Sequence, residues 1–340
     1  MEVDMKLVRF LARQTRETLE IYWLLVRIMV PVILATELLK ELGALDFISP
    51  TFGPVMALIG LPPELGLAWL TGLLVGLWGA VPIVFTLVPV EQLSTADMTV
   101  FSALLLIAHG LPVEQRIIAQ AGPSFLLTSL LRLGGGLLYA FMLHHLFAAT
   151  GWLSQPLAPA WVPMEDATGG WVSMFGSLAE TLISMFAILW ALSVGLELSK
   201  RLGVLDRLIA MIRPVLRLSG MSRDVGPFAA IGLLLGISYG GALLIREARS
   251  DVVEPRQIFV ACVFMGFAHS IIEDTLVVVA LGADIWGVLV GRVAVAIAFT
   301  AVVAFCVRAL SEESFRKWAF RDERKRNRRG WRFWRRKRVA

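Results

Sequence analysis

Residues 37–76 read ELLKELGALDFISPTFGPVMALIGLPPELGLAWLTGLLVG, and residues 197–236 read ELSKRLGVLDRLIAMIRPVLRLSGMSRDVGPFAAIGLLLG. Superimposed at a constant shift of 160, sixteen of the forty positions agree without a gap. The matches include Glu37/Glu197, Lys40/Lys200, Gly43/Gly203, Asp46/Asp206, Pro54/Pro214, Gly60/Gly220, Gly66/Gly226, Gly72/Gly232 and Gly76/Gly236. Apolar composition alone aligns leucines; it does not align Asp, Lys, Pro and a series of glycines together. A duplicated unit is the economical reading.

The same register carries outward from this stretch. Glu20 falls on Glu180, His109 on His269, Glu114 on Asp274, Gly122 on Gly282 and Arg132 on Arg292. The sequence therefore divides into a basic N-terminal segment (1–16), a first unit (17–148), a Trp-, Pro- and Gly-rich connector (149–176), a second unit (177–308) and a basic tail (309–340).

Composition fixes the environment. The chain is 57% hydrophobic and only 17% charged, too little charge to cover a soluble domain of 340 residues. Residues 21–39, 124–147, 181–196 and 285–307 are long or nearly long enough to cross ~30 Å of hydrocarbon as helix. The reading is an integral membrane protein with residues 21–39 as a first span rather than a cleaved signal. Cys262 and Cys306 lie in apolar segments without metal-ligand spacing, so neither a disulfide nor a metal site is expected.

Charge is distributed by loop. No Lys or Arg occurs between Glu41 and Gln115 or between Leu133 and Ser199, whereas Arg207, Arg213, Arg217 and Arg223 crowd residues 203–224. By the positive-inside rule, loops of the first unit face outward and those of the second face the cytoplasm, with both termini cytoplasmic in the cell (inner or plasma) membrane. Residues 65–90 must then begin and end on one side, and their interruptions at Gly76, Gly79 and Pro82 suit a re-entrant helical hairpin. The expected fold is an all-α polytopic membrane protein of two inverted-topology repeats, each with about three transmembrane helices and one re-entrant hairpin.

Inverted repeats with broken helices in matching positions point to a solute site and alternating access. Substrate-binding candidates are Gly76 and Gly79 in the first hairpin and Ser238, Tyr239, Gly240 and Gly241 in the second, whose backbone N–H groups can face a polar or anionic group. Close helix packing is the competing role for such glycines. Arg132 and Arg292, inside otherwise apolar spans, either bind substrate or form structural ion pairs. His109, Glu114, His269, Glu273 and Asp274 are proton-coupling candidates, because histidine titrates near neutral pH and these acids accompany it in both units. On a continuous helix His269 and Glu273 would share a face.

At residues 72–82 and 232–241, with the His109 and His269 segments that follow, the chain resembles the nucleoside-recognition, or Gate, domain family. That group includes spore-maturation membrane proteins, the membrane part of the ferrous-iron transporter and concentrative nucleoside transporters. The resemblance covers about residues 20–145 and 180–305, and implies transport through paired hairpins with a polar solute at their tips. Neither Gly-rich hairpin contains a cysteine, which argues against iron.

The resulting expectation is a non-enzymatic secondary transporter of a small polar or anionic solute, nucleoside-like, coupled to protons and needing no cofactor. A lipid or lipid-phosphate flippase, an intramembrane enzyme and a non-transporting assembly subunit are the alternatives. Expected partners are the solute and, at the Arg- and Trp-rich tail 321–338, anionic lipid headgroups rather than nucleic acid; a homo-oligomer is compatible with the sequence.

Overall fold

The computed structural model describes residues 2–162, 170–250 and 253–321, without the side chains of residues 2–8, 46, 170–171, 238–239, 247 and 249–250. Among the described residues, five helices are long and apolar enough to cross a membrane: Arg9–Glu41, Thr95–Gln120, Phe125–Thr150, Val172–Arg201 and Trp286–Ala309. Many of their large apolar side chains face outward, with Ile21, Trp23, Leu24, Ile183 and Phe305 each more than half exposed. Hydrocarbon accepts such a surface where water does not. The chain is an all-α polytopic membrane protein.

Two compact units emerge: Met1–Leu111 with Gly136–Ala210 and Glu273–Gly291, and Pro112–Gly135 with Met211–Ile272 and Arg292–Ala340. Neither coincides with one sequence copy, because each draws segments from both. The separation into copies is a statement about sequence; packing follows other lines.

In the first unit, α1 (Glu2–Glu41) lies along α9 (Gly170–Arg201). Polar side chains stitch them: the Tyr22 hydroxyl donates to the Leu182 carbonyl at 3.1 Å, and Trp190 Nε1–H to the Thr15 hydroxyl at 2.9 Å. Helices α2 (Leu45–Leu58), α3 (Leu65–Val75), α4 (Leu77–Ala80) and α5 (Val84–Leu87) lead to α6 (Thr95–Ile107), which is buried from Met98 to Ile107. A capping box holds the start of α6: Ser94 and Asp97 exchange side-chain and backbone hydrogen bonds. The connector folds onto this end, as Leu157 N–H donates to Leu93 O and Thr95 N–H to Gln155 O.

The second unit contains α7 (Leu111–Gln120) beyond its first residue and the start of α8 (Phe125–Thr150). It also holds the end of α10 (Val204–Leu216), with α11 (Gly226–Leu235), α12 (Ile237–Ser250) and α13 (Pro255–Phe267). Helix α14 (Glu273–Ala280) belongs to the first unit; α15 (Arg292–Ala309) and α16 (Glu312–Trp318) belong to the second. Phe267 stacks on Phe299 with ring centroids 4.4 Å apart, joining α13 to α15. Helix α16 is docked through Phe315, which is fully buried between Phe259 and Phe320. The tail from 322 onward, where headgroup binding is expected, lies outside the described residues.

The two glycine-rich stretches are helical hairpins. Helix α3 stops at Gly76, whose φ of 117° and ψ of 175° are open to glycine but strained for any residue with a Cβ. Helix α11 stops at Gly236 with φ 92° and ψ 170°. Four residues on either side of each break, the arms touch. A Cβ on Gly72 would lie 3.0 Å from the Ala80 Cβ, and one on Gly240 only 2.5 Å from the Gly232 Cα. With 11 and 10 residues, α3 and α11 are each ~15 Å long, half the hydrocarbon thickness.

Within the span Thr95–Gln120 the helix is interrupted: α6 ends at Ile107 and α7 begins at Leu111. Ala108 leaves helical geometry at ψ 61°, Gly110 turns at φ 57°, and Pro112 lies in the first turn of α7, where a missing N–H is harmless. The same interruption separates α13 from α14, with Ser270 at φ 48° in the place of Gly110.

Candidate functional site

Both interruptions carry a histidine. His109 follows α6 and is 5% exposed; His269 follows α13 and is 2% exposed. Each is fastened to the hairpin of its own unit by the residue that follows it. Gly110 N–H donates to Gly72 O at 2.9 Å in the first unit, and Ser270 N–H to Gly232 O at 3.4 Å in the second. Those carbonyls also accept from the break glycines, Gly76 and Gly236, both at 2.8 Å. In the second unit a further bond, Ile271 N–H to Leu233 O at 2.8 Å, tightens the seam.

The imidazole tautomers follow from the partners. His109 Nδ1 lies 2.9 Å from Leu105 O and His269 Nδ1 lies 2.9 Å from Met265 O. A carbonyl only accepts, so Nδ1 carries hydrogen in both and Nε2 is the nitrogen that gains or loses a proton. Nε2 of His269 faces Glu114 Oε1 at 3.3 Å, and Nε2 of His109 faces Asp274 Oδ2 at 3.8 Å. At 3.3 Å the His269–Glu114 pair is within hydrogen-bond reach, whereas at 3.8 Å the His109–Asp274 pair is an electrostatic neighbour.

Each histidine takes its acid from the opposite sequence copy. His109 and Asp274 meet in the first unit, His269 and Glu114 in the second. The expected helical face shared by His269 and Glu273 is absent, because the chain leaves α13 at Phe267 and regains helix only at Glu273. Glu273 instead opens α14, half-buried, with the Trp78 side chain hydrogen-bonded to its carboxyl.

Glu114 has a second cationic neighbour. Arg132, 1% exposed, places Nη1 2.6 Å from Glu114 Oε2, so one carboxylate receives the guanidinium on one oxygen and the imidazole on the other. Arg292, fully buried, donates from Nε to Phe267 O at 2.9 Å and from Nη2 to His269 O at 3.0 Å. It thereby caps the broken end of α13 and fixes the backbone carrying His269. A guanidinium, with five donors in a rigid fork, suits such multiple bonds.

The segments that carry the hairpins, the histidines and their acids match a described family. The sequence pattern of the Gate family, described as nucleoside recognition, matches residues 22–124 and 177–284. The chain belongs to the Gate family. It is also similar to an uncharacterized membrane protein YvoD of Bacillus subtilis (strain 168), 26% identical over 295 residues that cover 83% of this chain and 90% of the relative. No solved structure matches the chain. Membership in the Gate family supports a membrane transporter in general, with a small-molecule solute.

The two Gate segments enclose both hairpins, both histidines, Glu114, Glu273 and Asp274, while Arg132 and Arg292 fall just beyond their C-terminal ends. Of the hairpin glycines, Gly76 forms the first break and has open space where a Cβ would be. Gly79 is buried one turn after it, against Val75 and Thr71. Gly240 is the close-approach point between α11 and α12, and Gly241 packs on Ile117. Ser238 and Tyr239 lie in the first turn of α12, with side chains outside the described residues.

Sequence reasoning missed several participants. Trp78, beside the Gly76 break, is one, through its hydrogen bond to Glu273. Gln115 accepts a hydrogen bond from the Thr128 hydroxyl at 2.7 Å and so braces the turn between Glu114 and Arg132. Tyr139 donates to Gly287 O at 2.6 Å, binding α8 to the π-helical turn Trp286–Gly291. The motif His-Gly-Leu-Pro at 109–112 was the available signal for the break in the α6 span.

Proposed function

We propose that this chain is a secondary transporter of a small polar solute, nucleosides being the first class to test. Proton binding at the His109–Asp274 and His269–Glu114 pairs drives it, and the two hairpins alternate in admitting solute. In this reading the two sequence copies are inserted with opposite topology, and both termini are cytoplasmic.

The observation that supports it is the hydrogen bond from the residue after each histidine to the hairpin beside it. A proton arriving at Nε2 puts a positive imidazolium beside a carboxylate and strengthens the contact by roughly 1–2 kcal/mol. That change pulls imidazole and carboxylate together, and the backbone that carries the imidazole is the backbone that holds the hairpin. A hairpin is a suitable moving part, because its break glycine has no side chain to repack. Substrate and proton are thus linked through one mechanical element in each unit.

The flippase alternative gave the lipid headgroup to Arg132 and Arg292. Arg132 is spent on Glu114 and Arg292 on two backbone carbonyls, so the geometry lends that alternative no support. The test is uptake of tritiated uridine and adenosine into proteoliposomes containing the full chain. Saturable uptake above empty liposomes for either nucleoside is expected. Uptake no greater than the empty control for both removes nucleosides as the substrate class.

A further inference from the structure

The second unit contains an anion-shaped cleft unrelated to the histidine pairs. It has a volume of about 180 Å³ and lies where α10 ends and α11 begins, lined by Arg213, Leu216, Arg217, Ser222, Arg223 and Gly226. All three arginines are exposed, and among the described residues none has a side-chain hydrogen bond or ion pair. No acidic side chain lines the cleft. Three guanidiniums held together without counter-charge repel one another, so an anion seated among them relieves the repulsion as well as accepting their hydrogen bonds.

The floor is the start of the ten-residue α11, Gly226 and Pro227, with Gly226 N–H bonded to Ser222 O at 3.3 Å. Ser222 is anchored by its backbone N–H to Gln257 Oε1 at 2.7 Å, which fixes the turn that presents Arg223. The three guanidiniums with the Ser222 hydroxyl form a set suited to a phosphate group.

The neighbouring surface identifies the source of that phosphate. Met211, Val215 and Leu218 are 70%, 40% and 69% exposed and recur at helical spacing through the end of α10 and the 3-10 turn Arg217–Ser219 that follows it. A segment that exposes both arginines and bare aliphatic side chains matches an amphiphile with an anionic head. A free phosphate would use the arginines and leave the aliphatic stripe uncovered. We propose that the α10–α11 elbow is a binding site for one anionic phospholipid, its phosphate among Arg213, Arg217 and Arg223 and its acyl chains along Met211, Val215 and Leu218.

The full chain, reconstituted in nanodiscs of phosphatidylcholine with graded phosphatidylglycerol, tests this. Native mass spectrometry after detergent release counts retained phosphatidylglycerol, and thermal melting follows stabilisation. Wild type retains phosphatidylglycerol in preference to phosphatidylcholine and melts higher as its fraction rises. Each arginine contributes about a fivefold preference at a membrane surface. The triple variant R213Q/R217Q/R223Q therefore loses retention by about two orders of magnitude while melting like wild type in pure phosphatidylcholine. The triple lysine variant recovers part of it, which separates lost charge from lost fold. Equal retention in wild type and the glutamine variant overturns the site. An equal melting shift with inorganic phosphate in phosphatidylcholine overturns the lipid assignment.

Discussion

Nε2 of His269 faces Oε1 of Glu114 at 3.3 Å, although Glu114 belongs to the other sequence copy. The equivalent exchange pairs His109 with Asp274 at 3.8 Å. Each compact unit therefore contains one hairpin, one broken helix, one histidine and one acid, assembled from both copies. Neither copy alone can complete its own pair.

The Glu114–Arg132 contact is buried on the arginine side, and removing only one partner strands the other. Glu114→Ala is expected to destabilise the protein by about 3–5 kcal/mol, since an uncompensated buried charge is the dominant penalty. The double variant Glu114→Leu, Arg132→Met is expected to recover most of that loss. Thermal melting of the two single variants and the double, read as a mutant cycle, measures the coupling.

Gly76→Ala tests backbone conformation without a packing clash, because nothing lies within 4 Å of a Cβ there. The strain of φ 117° in an L-residue is about 1–3 kcal/mol, and the melting temperature should fall accordingly. Gly240→Ala tests packing instead: its Cβ would meet the Gly232 backbone at 2.5 Å, and it should open the second hairpin. Protease accessibility of residues 236–250 should rise for Gly240→Ala and not for Gly76→Ala.

Glu312 lies after the last long helix, and hydrogen bonds from Arg316 and then Arg256 hold its carboxyl below the usual carboxylate range. A depressed folded-state value means the ionised form stabilises the fold; that contribution is present at neutral pH and disappears as acid protonates the group. Wild type should melt above Glu312→Gln at pH 7. The two curves should converge as pH falls below about 4, the ordinary glutamate value and beneath.

Opposite insertion of the copies predicts opposite labelling of equivalent positions. Val55→Cys and Val215→Cys, in a background with the exposed Cys306 replaced by serine, should react with an impermeant maleimide from opposite faces of the membrane. Cys262 is buried and should stay silent. Labelling of both from one face contradicts inversion.

Much of this arrangement was legible from local rules. Gly76 and Gly236 could be read as breaks because a glycine between apolar runs, in equivalent positions of two copies, has a backbone meaning independent of the surrounding fold. The membrane class followed from composition, and the recurrence of His109 at His269 singled out the histidines. Their partners were not legible. The face shared by His269 and Glu273 assumed a helix that in fact stops at Phe267, with Ser270 at φ 48° beyond it, and no spacing rule announces that a serine will take that conformation. The bond from Arg132 to Glu114 depends on how the turn between α7 and α8 folds back, with Gln115 and Thr128 bracing it, which is tertiary information.

The proton's role is tested most directly by solute accumulation under an imposed pH gradient. Proteoliposomes loaded at pH 7.5 and diluted to pH 6 should concentrate tritiated nucleoside several-fold when they contain wild type. Those containing His109→Gln or His269→Gln should only equilibrate it, even where the variants melt like wild type. Undiminished accumulation in both histidine variants contradicts the account.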